Sequence, residues 1–141
     1  MNPRIAVLVG SFAALALAAC ASTPAPRPTE ARAETRVTGS VFYRERIALT
    51  PDAVLQVEVV ESAPQGGTGP VVGEQTLQSP GQVPIAFSVP VPSERIRPDA
   101  TYTVRARITD AERVFTTPEP VPVLTQGHPS QDVQVRMRVG G

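Results

Sequence analysis

Between Thr101 and Thr109 the side chains alternate without a break. Tyr102, Val104, Ala106 and Ile108 fall on one side, and Thr101, Thr103, Arg105, Arg107 and Thr109 fall on the other. Period two belongs to a strand with one face buried and one in water. The 16 prolines spread along the chain point the same way, because proline breaks helix interiors.

Other stretches repeat the pattern. Val37, Gly39, Val41 and Tyr43 share a face over 36–43. Ala53, Leu55, Val57 and Val59 face opposite Gln56 and Glu58. Val71 to Leu77 is a weaker strand. Val83, Ile85, Phe87 and Val89 alternate, with Pro84 suggesting a sheet edge. Asp110-Ala111-Glu112-Arg113 reads as a hairpin turn into Val114-Phe115-Thr116, and Val121 to Thr125 is short. The last strand places Val133, Val135, Met137 and Val139 inside, with Gln134, Arg136 and Arg138 outside. Pro64 to Pro70 reads as a loop, as does the stretch bounded by Pro90, Pro92 and Pro98. The expectation is an all-β protein: an antiparallel β-sandwich of about seven or eight short strands. A small closed barrel is the alternative.

The N-terminus has a different logic. Arg4 precedes an uncharged, largely apolar run from Ile5 to Ala18, ending in Leu17-Ala18-Ala19-Cys20. The run is short of the roughly 20 residues of a membrane span and suits a signal peptide. Its end resembles a lipobox, in which small residues admit the backbone to the peptidase and the cysteine thiolate takes a diacylglyceryl group. The expectation is a lipoprotein signal peptide over 1–19, lipidation of Cys20 and anchoring to a bilayer through it. Ala21 after the cysteine resembles the outer-membrane sorting choice of enteric-type bacteria. Residues 20–35, rich in Pro, Ala and Thr, read as a disordered tether reaching roughly 45 Å from the lipid. Residues 36–141 are the domain.

Composition narrows the function classes. Thirteen basic residues balance 13 acidic ones, so nothing draws the whole chain to nucleic acid. The chain has one histidine and one cysteine, and that cysteine is expected to be acylated, so a zinc shell lacks ligands. His128 could recruit Ser130 and Asp132, but no nucleophile elbow accompanies them, and a solvated loop is the simpler reading. Gly66-Gly67-Thr68-Gly69 lacks the lysine of a phosphate loop. No catalytic constellation, cofactor or small-molecule substrate is expected. The function is then binding or chaperoning of another polypeptide, or a structural role without a discrete ligand.

Arginines stand two apart at Arg44/Arg46, Arg105/Arg107 and Arg136/Arg138. Residues two apart on a strand point the same way. If the strands are neighbours, these six form a positive stripe able to dock an acidic segment. The competing reading is a solvated face balanced by Glu58, Glu74 or Glu112.

The stretch Val37-Thr38-Gly39-Ser40-Val41-Phe42-Tyr43-Arg44-Glu45-Arg46-Ile47-Ala48-Leu49 resembles the YbaY/YscW lipoprotein family. So do Ala53 to Val57, Pro84-Ile85-Ala86-Phe87, Tyr102 to Ile108 and Pro122-Val123-Leu124-Thr125, in that order behind a lipobox. One branch often carries an Asp after the second strand, where this chain has Val60-Glu61-Ser62. The resemblance implies a β-sandwich lipoprotein on the periplasmic side of the outer membrane. One branch of the family acts as pilotins, which escort secretins to that membrane, so an envelope protein such as a secretin is the partner it implies.

Overall fold

The computed structural model describes residues 33–140. Cys20, the signal peptide and nearly all of the expected tether lie outside them. Among the described residues are nine strands: β1 Glu34–Phe42, β2 Val54–Ser62, β3 Thr68–Gln78, β4 Ile85–Pro92, β5 Tyr102–Asp110, β6 Arg113–Thr116, β7 Val121–Val123, β8 Val133–Arg136 and β9 Arg138–Val139. A single 3-10 turn, Ser93–Arg95, follows β4. The expected all-β sandwich is what forms. One sheet runs β4-β1-β8, and the other runs β3-β2-β5-β6-β9 with β7 also paired to β5.

The alternation sets the core. Tyr102, Val104, Ala106 and Ile108 are buried together with Leu55, Val57 and Val59 from β2. Val37 and Val41 from β1 and Ile85, Phe87, Val89 and Val91 from β4 cover them from the other sheet. Leucine- and valine-sized side chains each contribute about 1.5–3 kcal/mol on full burial, so the interlayer dominates the fold's stability. Tyr43 stacks on Phe115 with ring centroids 4.5 Å apart and closes one end. Burial raises the Tyr43 phenol above its ordinary pKa, and its hydroxyl donates to the Ile47 carbonyl at 2.6 Å.

Four departures from the expectation each have a physical reason. First, β1 begins at Glu34, because Glu34 and Thr35 pair with Pro92 and Val91. Second, Pro90 and Pro92 belong to β4 instead of a loop; an edge strand tolerates them because one side needs no donors. Third, Thr68, Gly69 and Pro70 belong to β3, which accommodates its irregular pairing with register shifts at Val59/Val60 and Val60/Ser62.

The fourth is the last strand, which splits. β8 pairs in parallel with β1, Gly39 opposite Val133 and Phe42 opposite Arg136. At Met137 the chain changes sheets: its side chain is fully buried and its N–H donates to the Phe42 carbonyl at 2.8 Å. Arg138 and Val139 then pair with Thr116 and Phe115 of β6. Val139, expected inside, is 39% exposed at this edge.

β1 spans nine residues, about 30 Å, and gives the domain two ends. Ala33 enters at one end, where its carbonyl accepts from Ser93 N–H at 3.0 Å. Phe42, the β5–β6 turn and the Met137 crossover lie at the other.

Candidate partner-binding surface

Gln56, Glu58, Arg105 and Arg107 face outward on the six-stranded sheet, Glu58 opposite Arg105 and Gln56 opposite Arg107. With Ala106, Thr116 and Thr117 they line a groove of about 340 Å³. The groove exists because β5 changes partners on one flank. β7 serves Tyr102 to Val104, and β6 serves Arg107 to Asp110. Between them Thr117 stands in for a strand. Ala106 N–H donates to the Thr117 hydroxyl at 2.9 Å, and Thr117 N–H donates to the Ala106 carbonyl at 3.2 Å.

Inside the groove the two β5 arginines differ. Arg105 is tied down: Nε donates to Glu58 Oε2 at 2.8 Å and Nη1 to the Thr68 hydroxyl at 3.1 Å. Glu58 also accepts from Gln56 Nε2 at 3.1 Å, so both its oxygens are used. To reach Thr68 on β3, the Arg105 side chain crosses β2, where Val60 is only 3% exposed despite its outward register opposite Thr103. Arg107 is exposed and makes no hydrogen bond or ion pair among the described residues.

The six arginines expected to form one stripe do not share one face. Arg105, Arg107 and Arg138 lie on the outer face of the six-stranded sheet, with Arg107, Thr116 and Arg138 in one row across three strands. Arg136 belongs to the other sheet, separated from Arg138 by the change of sheets at Met137. Arg44 and Arg46 sit in the loop after β1, beside Arg136.

The open sides of the two sheets are treated in opposite ways. In an antiparallel strand the N–H and C=O of one residue point to the same side, and the side alternates. Ser88 N–H points away from β1 and is held by Gln75 Oε1 at 2.8 Å. Pro90 and Pro92, of the same parity, present no donor there, nor does Pro84 just before the strand. Of the donors on this side only that of Ala86 is left without a partner among the described residues, so the edge of β4 is closed to further pairing over most of its length. On β2, Ser62 N–H turns to β5, meeting the Thr101 carbonyl at 2.8 Å. Leu55, Val57 and Val59 therefore bond β3 through Leu77, Gln75 and Gly73. Glu74, Thr76 and Gln78 point their backbone groups outward and have no backbone partner among the described residues on that side. Arg95 Nη1 donates to the Val71 carbonyl at 3.5 Å at one end of this edge, beside a hollow of about 230 Å³ lined by Val71, Val72, Gly73, Glu74 and Arg95.

His128 is exposed in the loop before β8, its N–H donating to the Thr125 carbonyl at 3.1 Å, and Asp132 is exposed as well. No cluster of three or more His, Cys, Asp or Glu side chains able to hold a metal occurs among the described residues. Sequence reasoning missed Asp110, which it placed in a turn. The residue is fully buried and accepts from the Thr50 hydroxyl at 2.5 Å, from Thr50 N–H at 3.3 Å and from Arg113 Nη2 at 2.5 Å. Its inward parity in the Tyr102–Asp110 alternation was the available signal.

Residues 32–135 match the family model described as type III secretion system lipoprotein chaperone (YscW). The chain is 31% identical over 140 residues to the uncharacterized lipoprotein YbaY of Escherichia coli (strain K12), covering 88% of this chain and 74% of YbaY. Among solved structures, an alternative pilotin from the type II secretion system of Vibrio cholerae superimposes with a TM-score of 0.66 at 29% identity, covering 77% of this chain and all of the pilotin. With its two-sheet fold matched by a pilotin and most of its length matched by the family model, the chain belongs to the YscW family of lipoprotein chaperones.

Proposed function

We propose that this protein is anchored to the periplasmic face of the outer membrane through acylated Cys20, and that its domain captures another envelope polypeptide without catalysing a reaction. A secretin is the partner that the family description and the pilotin likeness favour. The observation that carries this reading is the contrast between the two edges. The fold closes β4 with prolines and Gln75 everywhere but at Ala86, and it leaves the backbone of Glu74, Thr76 and Gln78 unpaired. An open edge ordinarily invites aggregation, so one left unguarded beside a guarded one suits a partner that adds a strand.

Thr76→Pro tests this. The substitution removes one outward N–H and leaves the β2 ladder, made by Gln75 and Leu77, in place. Crosslinking in intact cells, followed by identification of what co-purifies, should recover an envelope polypeptide with the wild type and little of it with Thr76→Pro. Equal recovery by a folded Thr76→Pro variant overturns capture at this edge.

A further inference from the structure

The arginines of the described residues fall into two groups. Arg36 pairs with Glu34, Arg97 with Glu61, Arg105 with Glu58 and Arg113 with Asp110, while Arg95 caps a carbonyl. Arg44, Arg46, Arg107, Arg136 and Arg138 are exposed, and their side chains make no hydrogen bond or ion pair among the described residues. The second group is not scattered. Arg107 and Arg138 lie two strands apart in one row, about 10 Å. Arg136 is two residues before Arg138, across the Met137 crossover, and lies opposite Phe42, which leads into Arg44 and Arg46.

Two carboxylates mark this region. Glu45 sits between Arg44 and Arg46, and Glu112 lies in the β5–β6 turn. Backbone N–H groups occupy Glu45: its own, that of Arg44 at 3.0 Å and that of Val139. They hold its carboxyl below the ordinary range, with Arg136 adding to the effect. Glu45 thus fastens the loop to β9 without forming an ion pair with any of these arginines.

We infer that Arg107, Arg138, Arg136, Arg44 and Arg46 form one continuous docking track for an acidic segment of the partner polypeptide. The track runs off the outer sheet face and round the corner at Met137. It rests on the reading that the domain captures a polypeptide, and it names the charge that polypeptide carries. Guanidinium forks match carboxylates bidentately, and none of these five side chains is engaged by a hydrogen bond or ion pair among the described residues, Arg136 alone feeling the charge of Glu45, so the forks stay available. The bend selects the kind of partner. A flat anionic bilayer meets the sheet face or the end of the domain, not both, whereas a flexible chain follows the corner. The tether also enters at Ala33, about 30 Å away at the opposite end of β1, so the track lies far from the anchor's attachment.

The test uses the full lipoprotein in non-ionic detergent and a fluorescent peptide of alternating glutamate and serine, with binding read by anisotropy. Replacing the five track arginines by Gln should weaken peptide binding by tenfold or more and flatten its salt dependence. Arg36→Gln with Arg97→Gln, which removes paired charges elsewhere, should leave binding within about twofold. Equal loss in both variants shows that only net charge acts and overturns the track; so does unchanged binding by the folded five-fold variant. Phosphatidylglycerol vesicles form a second arm, and vesicle binding that depends on the track while peptide binding does not assigns the surface to lipid and overturns the proposal. Crosslinking in cells separates the two readings. A five-fold variant that captures the wild-type partner undiminished overturns the track alone, and a wild type that captures none overturns the capture function itself.

Discussion

Thr50 and Asp110, sixty residues apart in sequence, meet through two hydrogen bonds: the Thr50 hydroxyl and its N–H both donate to one carboxylate oxygen of a fully buried aspartate. Arg113 takes the other oxygen, and its guanidinium also reaches the Ala48 carbonyl at 3.4 Å. The cluster ties the loop after β1 to the β5–β6 hairpin. Those bonds, with that of the Thr50 hydroxyl first among them, hold the Asp110 carboxyl below its ordinary pKa.

A depressed carboxylate pKa fixes the direction of a pH effect. The stabilisation is fully present above the unfolded-state value, near ~3.9, and is lost as pH falls through the lower folded value. Thr50→Val should lower the melting temperature at neutral pH and reduce the loss of stability on acidification. Melting curves recorded from pH 7 down into the acid limb check this. A Thr50→Val protein whose acid limb matches the wild type would show that other carboxylates govern it.

Gly39 lies where β1 meets β8, and a Cβ there would overlap the Val133 backbone carbonyl. Backbone cannot swing aside as a flexible side chain can, so Gly39→Ala should loosen the parallel pairing. The expected cost is about 1–3 kcal/mol, the range for forced overpacking. Chemical denaturation measures it. Hydrogen exchange should place the loss on β8 and the adjoining end of β1, and uniform exchange changes would count against this account.

Cys20→Ala should abolish labelling by a palmitate analogue and move the protein from membrane to soluble fractions. A variant still held in the outer membrane would require a different anchor.

Much of this fold is legible in the alternation of small segments. The stretch Tyr102 to Ile108 fixes which side of β5 is buried, and the same rule assigns β2 and β4. The rule fails where a strand changes sheets. Val133 to Val139 reads as one strand because Met137 keeps the parity, yet the chain turns there and puts Arg136 and Arg138 on different sheets. Prolines mislead for a related reason: Pro90 and Pro92 look like loop punctuation until one knows that only one side of β4 needs donors. The open edge of β3 has no local signature at all, since it depends on which strands become neighbours. Of the six candidate arginines, Arg105 alone is neutralised, by a glutamate brought opposite it through strand pairing.

The parallel pairing of β8 with β1 also sets an order of events. Gly39 and Val133 are neighbours in the finished sheet but are separated by nearly the whole domain in sequence. Contacts of such long range close slowly, since loop entropy is lost before they form. During synthesis the N-terminal segment emerges first, so β1 waits with one flank bare until residues 133–139 have followed. The vulnerable interval for this protein is therefore that wait, when the flank of β1 that will hold β8 is an exposed edge open to wrong pairing.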